Sequence, residues 1–296
     1  MRTFVALLAL ASLRVGGALP HDGLRAAAAG IQARYSSGVN LVEVYATVTG
    51  ADGEPVTGLS REAFEIDEDG VPQAITVFAA GNLPLSVALA IDRSWSMTDG
   101  RLALAKGAAR SFLDGLRPGD RAMVVAIGSD VEVVTALSAD RPAWMAAVDS
   151  LQRWGTTPLY DAVIECLDLV QPSPGRRALI LLSDGDDRYS SATASEALER
   201  ARRADVIVYP AAVGRTRPLF FAELAALSGG RSFEAGDGRA LRAVFSAISR
   251  ELRSQYLLGY TPAKPIVPSA GQWRSIRVSA QRDGVRVRAR DGYWAK

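Results

Sequence analysis

Three oxygen-bearing side chains stand at alternate positions in the segment IDRSWSM, residues 91–97. Asp92, Ser94 and Ser96 directly follow LPLSVALA (83–90), an apolar run with the length and composition of a buried strand. Ordinary turn chemistry accounts for one such residue, because Asp and Ser are common in loops. Three of them at regular spacing indicate a loop that holds a ligand.

Two later segments supply further oxygen atoms. The first, GTTPLYDA (155–162), is a turn with Thr156 and Thr157 before a predicted helix. The second, SDGDD (183–187), follows an apolar run and contains Asp184. We expect all three segments at one edge of a sheet, since ligands of open α/β folds bind beyond the carboxyl ends of the strands.

These residue types select the kind of metal. The chain has one histidine, His21, and one cysteine, Cys166, and neither lies in the three segments, so zinc and copper are not favoured. Oxygen ligands favour Mg²⁺, with Ca²⁺ and Mn²⁺ as alternatives. Three hydroxyls and two carboxylates would leave a coordination position free. Because the set carries little negative charge, the metal would bind a carboxylate from a partner well.

Strand and helix patterns alternate between residues 83 and 255, and the strands are continuous apolar runs. Such runs are typical of strands that are covered on both faces. The alternation predicts an α/β fold with a Rossmann-like, doubly wound, mostly parallel sheet. The predicted strands are 83–92, 121–129, 131–137, 177–187, 206–214 and 231–235, and the predicted helices are 101–116, 142–154, 158–170, 193–204, 218–227 and 238–255.

Strand patterns without helices flank this domain on both sides. On the N-terminal side, residues 42–49 alternate between apolar and polar side chains, and 64–78 reads as strand, Asp-Gly turn, strand. Neither flank alone would bury a convincing core. We therefore predict that an N-terminal module at 38–80 and the C-terminal residues 256–296 form one small β-sandwich, with the α/β domain (83–255) inserted. The predicted C-terminal strands are 256–262, 273–280 and 285–294.

The N-terminus has the pattern of a secretory signal peptide. Residues 1–18 combine Arg2, a short apolar run and small residues at 16–18, and residues 19–37 are predicted to be a leader or flexible arm. No later run is long enough to cross a bilayer. We expect an exported protein without a membrane span in the mature chain, either periplasmic or secreted.

The remaining charged and aromatic residues give weaker signals. The net charge of +2 favours no nucleic-acid or membrane-surface role. The basic run VRVRAR (285–290) is predicted to be a solvated strand face. Trp144 and Trp154 flank a predicted helix and are predicted to pack rather than to bind.

The motif DRSWS resembles the DxSxS motif of von Willebrand factor type A domains. Thr157 in GTTPLYDA is similar to the threonine of that family, and Asp184 in LLSDG to its later aspartate. Together the five residues resemble the metal-ion-dependent adhesion site of the family. The resemblance implies that Ser94, Ser96 and Thr157 contact the metal directly, and Asp92 and Asp184 directly or through water. Thr156 is the neighbouring alternative, but the spacing of Thr157 to LYDA matches the family's GGT-x-LYDA form.

The resemblance extends to the flanking strands. Residues 42–78 look like the N-terminal module of secreted bacterial proteins with von Willebrand factor A-related domains, and SQYLLGYTP and VRVRARDGYW resemble their ending. It implies an exported, metal-dependent adhesion or binding protein whose partner exposes an Asp or Glu. Many members have a small residue between the two serines, whereas this chain has Trp95, with Arg93 beside it. Either residue is predicted to contact a ligand, to shield the metal or to obstruct it.

Two other classes of function compete with binding. The protein could be a scaffold whose metal only stabilises the fold. Enzymes are disfavoured, because a serine hydrolase needs a base and the only histidine lies in the predicted leader. A dehydrogenase needs glycines after its first strand, and IDRSWSM has none. A metal-dependent phosphoesterase is the least implausible enzyme, although no phosphate-cradling lysine follows the motif.

Overall fold

A six-stranded sheet covered by helices on both faces dominates the computed structural model, which describes residues 41–81, 83–214, 217–266 and 271–295. The predicted signal peptide and leader (1–37) lie outside the described residues. The helices are α1 (Asp99–Asp114), α2 (Arg141–Ser150), α3 (Leu159–Val170), α4 (Ala194–Arg203), α5 (Leu219–Ser228) and α6 (Gly238–Ser254). The strands are β1 (Val42–Thr49), β2 (Phe64–Glu68), β3 (Val71–Gln73), β4 (Ile75–Ala80), β5 (Leu85–Asp92), β6 (Arg121–Ile127), β7 (Val131–Ser138), β8 (Arg176–Ser183), β9 (Ile207–Val213), β10 (Phe233–Ala235), β11 (Tyr256–Tyr260), β12 (Gln272–Ala280), β13 (Arg286–Arg288) and β14 (Gly292–Ala295).

The strand order of the large sheet is β10-β9-β8-β5-β6-β7, and every pairing is parallel except that of the edge strand β7. β5 is central and all eight of its residues are buried. Its side chains alternate between two cores: Val87, Leu89 and Ile91 pack with helices α1, α2 and α6, while Ala88 and Ala90 pack with α3, α4 and α5. This two-sided burial explains the continuous apolar run and confirms the predicted α/β fold class.

The chain's flanking strands form a second module of two four-stranded antiparallel sheets. One sheet has the order β13-β1-β11-β4 and the other β14-β12-β2-β3. β1 therefore pairs with two strands from the C-terminal part of the chain. Apolar residues of both sheets share one core, which includes Val44, Ile66, Leu258 and Ile276. These pairings confirm a β-sandwich built from N- and C-terminal strands.

Two predictions about these flanking strands were wrong in detail. The predicted hairpin at 64–78 is three strands, and β4 leaves the sheet of β2 and β3 to pair with β11, where Phe78 packs into the shared core. The basic run is a solvated face only in part, since Arg286 is exposed but Arg288 and Arg290 are not. Arg288 lies 2.7 Å from Glu251 and Arg290 lies 3.1 Å from Asp205, because both side chains turn toward carboxylates of the α/β domain.

None of the helices within the described residues has the length and apolarity that crossing a membrane requires.

Candidate metal centre

Asp92, the last residue of the central strand β5, is fully buried. Its Oδ1 accepts a hydrogen bond of 2.8 Å from the backbone N–H of Ser94, and its Oδ2 accepts one of 2.7 Å from the Ser183 hydroxyl. Within the described part of the chain it forms no ion pair. Burial raises the pKa of Asp92 to about 6, although the hydrogen bonds from Ser94 and Ser183 lower it in part. A cation beside this carboxylate would favour its ionised form.

The serine hydroxyls of the next loop meet each other. Ser94 is buried, Ser96 is half-buried, and their Oγ atoms are 2.9 Å apart. The loop is fixed by its own backbone, since Met97 N–H donates to the Ser94 carbonyl, and the Met97 side chain is buried in the core. Hydrogen bonds therefore connect Asp92, Ser94 and Ser96 at the carboxyl end of β5.

Thr157 carries a buried hydroxyl that lacks a hydrogen-bond partner among the described residues. Leaving such a group unsatisfied costs about 1–3 kcal/mol. Its neighbour Thr156 is only half-buried. An unsatisfied buried oxygen needs an explanation, and a bound cation would supply one. This geometry fits Thr157, rather than Thr156, as a ligand of a cation.

Backbone hydrogen bonds tie the segment of Thr157 to the other two. The N–H of Trp95, in the serine loop, donates to the Gly155 carbonyl over 3.0 Å. The N–H of Arg188, in the loop after β8, donates to the Thr157 carbonyl over 2.7 Å. The three segments that the sequence singled out are therefore joined at one edge of the sheet.

Asp184 follows β8 and its side chain is largely buried. Its Oδ2 lies 3.7 Å from a guanidinium nitrogen of Arg101, and the same nitrogen donates to the Ser96 carbonyl over 3.4 Å. Gly185 has a φ of +88°, and a Cβ there would lie 2.2 Å from Pro218, so only glycine fits this turn. Asp184 thus reaches the serine loop through Arg101, on helix α1.

Ser183 and Arg101 are site residues that sequence reasoning missed. The signal for Ser183 is its register: Ile91 pairs with Leu182, which sets the next residue, Ser183, beside Asp92. A hydroxyl at the end of an otherwise apolar strand is informative only when that neighbour is known. Arg101 gives no signal in the sequence, because an arginine near a helix start is unremarkable.

The predicted ligand-contact residues Arg93 and Trp95 lie at the rim. Arg93 forms an ion pair of 2.6 Å with Glu132 of β7. The Trp95 ring is 59% exposed, so the structure does not bury it over the site. Thr156, the third such residue, hydrogen-bonds through its backbone N–H to the Ser129 hydroxyl over 3.4 Å.

The donor set suits a hard cation. In the part of the chain that the structure describes, no three His, Cys, Asp or Glu side chains gather as a metal-binding group. Two carboxylates and three hydroxyls instead supply neutral and anionic oxygen atoms, the ligands that Mg²⁺ and Ca²⁺ take in proteins. The unsatisfied Thr157 hydroxyl and the uncompensated charge of Asp92 are consistent with such an ion.

Residues 87–186 match the family model of the von Willebrand factor type A domain. The chain carries a von Willebrand factor type A domain. The matched range begins in β5 and ends in the loop after β8, so it contains Asp92, Ser94, Ser96, Thr157 and Asp184.

Other proteins resemble this domain and its flanks. A UPF0353 protein of Mycolicibacterium vanbaalenii is 27% identical over an alignment of 209 residues, and the match covers 58% of this chain and 62% of that relative. The chain therefore matches less than two thirds of the curated relative's length.

Two solved structures illustrate the likeness in fold. A von Willebrand factor type A protein from Catenulispora acidiphila is 15% identical, with a TM-score of 0.52 and coverage of 86% of this chain and 72% of that one. Proximal thread matrix protein 1 of the mussel byssus is 15% identical, with a TM-score of 0.53 and coverage of 63% and 51%.

Proposed function

We propose that this chain is an exported, metal-dependent protein-binding or adhesion module. Asp92, Ser94, Ser96, Thr157 and Asp184 would hold a divalent cation, with Mg²⁺ favoured over Ca²⁺ and Mn²⁺, and the partner would be a protein that exposes an Asp or Glu. The observation that carries this proposal is the buried Asp92 carboxylate, which receives only neutral donors.

The chain's own residues would set the geometry of binding. Ser183 and the Ser94 N–H each hold one oxygen atom of Asp92, so that the orientation of the carboxylate is fixed before any ligand arrives. The paired hydroxyls of Ser94 and Ser96 lie on the same loop. When bound, the cation would supply an electrophilic centre with a coordination position for a carboxylate oxygen.

Binding is proposed in place of catalysis because no histidine or cysteine accompanies the oxygen ligands of the site as a base or nucleophile. No histidine occurs among the described residues, and Cys166 is buried inside the sheet's helical layer, where burial raises the pKa of its thiol to about 12. Incubation with p-nitrophenyl phosphate and Mg²⁺ tests the enzymatic alternative. We expect no turnover, and a metal-dependent rate that Asp92→Ala abolishes would establish an enzyme instead.

The binding proposal is tested with a capped peptide, Gly-Gly-Glu-Gly, titrated into the isotope-labelled full chain and followed by NMR. We expect amide shifts around residues 93–97 with Mg²⁺ present and none with EDTA. The isosteric Thr157→Val variant should lose the Mg²⁺-dependent response, and its neighbour Thr156→Val should keep it. If the parent binds Mg²⁺ but no peptide, the metal serves only the fold, and the scaffold function replaces this proposal.

A further inference from the structure

A cavity lies at the end of the large sheet that is opposite to the candidate metal centre. Its volume is about 290 Å³, and its walls come from the starts of β5 and β8 and from the ends of α1 and α6. Asp92 lies at the other end of β5, about 23 Å along the strand. The cavity is therefore separate from the candidate metal centre.

Arg176, the first residue of β8, lines this cavity and is only 3% exposed. One Nη of its guanidinium donates to the Leu252 carbonyl and to Gln255 Oε1, and the other donates to the Leu83 carbonyl over 3.1 Å. All three acceptors are uncharged, and the Nε–H has no hydrogen-bond partner among the described residues. Burial lowers the pKa of Arg176, as expected for a cation that is only partly compensated.

The other buried arginine of the described residues, Arg274, has a full counter-charge. Its guanidinium lies 2.8 Å from the buried carboxylate of Glu68. Arg176 forms no ion pair within the described part of the chain. The Leu252 carbonyl belongs to the last turn of α6, and a helix end supplies only about half an elementary charge. Part of the charge of Arg176 therefore stays uncompensated inside the protein.

Asp120 is the acidic residue of the cavity lining, and its oxygen atoms are already occupied. Oδ1 accepts a hydrogen bond of 3.2 Å from the Leu85 N–H, and Oδ2 accepts one of 2.8 Å from the Arg117 N–H. The charge of Asp120 raises the pKa of Arg176 in part, but the two side chains form no ion pair. Asp120 thus fixes the loop after α1 and leaves Arg176 without a direct carboxylate partner.

Most of the remaining lining is apolar. Arg117, which also lines the cavity, has an interaction partner of its own, and Arg253 donates to the Gly115 carbonyl. A free phosphate would lose its water against such walls without enough donors to replace it. A monocarboxylate with a hydrocarbon body would match both the single buried cation and the apolar walls. These walls include the side chains of Leu83, Leu85, Phe112, Leu116 and Leu252.

We propose that this cavity binds a small carboxylic acid with an apolar body, such as hexanoate, and that the ligand's carboxylate lies beside the Arg176 guanidinium. The proposal goes beyond the proposed function, because it requires neither a metal ion nor a protein partner. The bound carboxylate would complete the ion pair that Arg176 lacks, and the hydrocarbon body would be removed from water against the leucine and phenylalanine side chains.

The experiment titrates hexanoate, hexanamide and inorganic phosphate separately into the isotope-labelled full chain in EDTA, followed by NMR. We expect hexanoate to give saturable amide shifts at lining residues such as Gly119 and Leu252. Hexanamide has the same size but no charge, so it should bind about tenfold more weakly. Phosphate should give no saturable shift at these amides.

Three variants test the contribution of Arg176. Arg176→Met removes the charge and should lower the affinity for hexanoate about tenfold, to that of hexanamide, while the affinity for hexanamide stays nearly unchanged. The matched control is Arg242→Met, which removes an exposed arginine of α6 outside the cavity lining and should change neither affinity. If Arg176→Met does not fold, Ser249→Leu serves in its place. It narrows the cavity from α6 and should weaken both ligands.

Equal affinity of the parent for hexanoate and hexanamide, or hexanoate binding that survives Arg176→Met, would overturn the proposal. Tighter binding of phosphate than of hexanoate would overturn the assignment to a carboxylic acid. No saturable binding of any of the three would leave Arg176 with a structural role at the end of α6 and would also overturn the proposal. None of these outcomes affects the proposed function, because the titrations contain no Mg²⁺.

Discussion

Two buried carboxylates in this protein have opposite surroundings. In the β-sandwich, Glu68 accepts hydrogen bonds from the hydroxyls of Tyr260 and Tyr293, at 2.8 and 2.9 Å, and lies 2.8 Å from the buried guanidinium of Arg274. In the α/β domain, Asp92 accepts hydrogen bonds from serine hydroxyls and a backbone N–H, none of which carries a charge. The first carboxylate is neutralised inside the fold and the second is not.

The contrast distinguishes a structural charge from a functional one. Glu251 is the remaining buried carboxylate among the described residues. It forms ion pairs with Arg231 and Arg288. Burying an ionised group without a counter-charge is expensive, so a fold tolerates it where something else supplies that charge. Asp92 is therefore the one buried carboxylate of the described chain without an arginine partner, and this is the carboxylate that we propose as a cation ligand.

The largest expected effect is at Glu68. Glu68→Gln leaves Arg274 buried without its counter-charge, and we expect a loss of about 3–5 kcal/mol in the free energy of unfolding. Urea unfolding in EDTA measures it. The matched double variant Glu68→Gln with Arg274→Met should recover part of the loss. If Glu68→Gln alone is as stable as the parent, Glu68 is not needed as the counter-charge of Arg274.

In metal-free protein, Asp92→Asn should raise the free energy of unfolding, whereas Glu68→Gln lowers it. The amide keeps the shape of the carboxylate and removes its uncompensated charge, so at pH 7.5 in EDTA we expect a gain of up to about 3 kcal/mol in the free energy of unfolding. With Mg²⁺ the order should reverse, because only the parent is stabilised by the metal. Destabilisation by Asp92→Asn in EDTA would contradict the account.

The same carboxylate predicts a pH dependence of metal-free stability. Its folded pKa of about 6 lies above its ordinary value of 3.8, so protons bind the folded state more tightly. Stability from this group is fully present below about pH 4 and is lost as the pH rises to about 6. Unfolding of parent and Asp92→Asn in EDTA from pH 4 to 7.5 isolates this contribution, and parallel pH curves would show that it is absent.

A smaller loss is expected at Ser183, a positioning residue. Ser183→Ala removes the hydroxyl that donates to Asp92 and accepts from the Gly185 N–H, which should cost about 2 kcal/mol in EDTA and weaken Mg²⁺ binding. Ser246→Ala, on the exposed part of α6, is the control and should change neither quantity. Calorimetry with Mg²⁺ supplies the second readout, and unchanged affinity would assign Ser183 a purely structural role.

The smallest expected effect is at Thr157. Thr157→Val removes a buried hydroxyl without a partner, so metal-free protein should gain about 1 kcal/mol in the free energy of unfolding while the stabilisation by Mg²⁺ falls. Thr156→Val should leave both nearly unchanged. A loss of metal-free stability in Thr157→Val would mean that the hydroxyl has a partner in the folded protein.

The sequence predicts well what depends on local spacing. Asp92, Ser94 and Ser96 stand at alternate positions of one loop, and the long apolar runs predict buried parallel strands. It predicts poorly what depends on register or on close approach. The role of Ser183 follows from its place beside Asp92 on a neighbouring strand. Trp154 packs one side of its ring against Gly128, which is distant in sequence, and remains 43% exposed.

The flanking strands show the same limit. Their apolar alternation predicts strands and a shared sandwich, but the sheet to which β4 belongs depends on its pairing with β11, which is distant in sequence. Likewise, the alternating Arg288 and Arg290 suggest a solvated face until their partners Glu251 and Asp205, far away in the chain, are known.

The most direct test of the central claim is calorimetric titration of Mg²⁺ into the metal-stripped full chain, beside Asp92→Asn and Glu68→Gln. We expect saturable binding of one ion by the parent, none by Asp92→Asn, and binding by Glu68→Gln under conditions in which that variant is folded. No binding by the parent, or equal binding by Asp92→Asn, would contradict the claim that the uncompensated carboxylate at the end of β5 receives a cation.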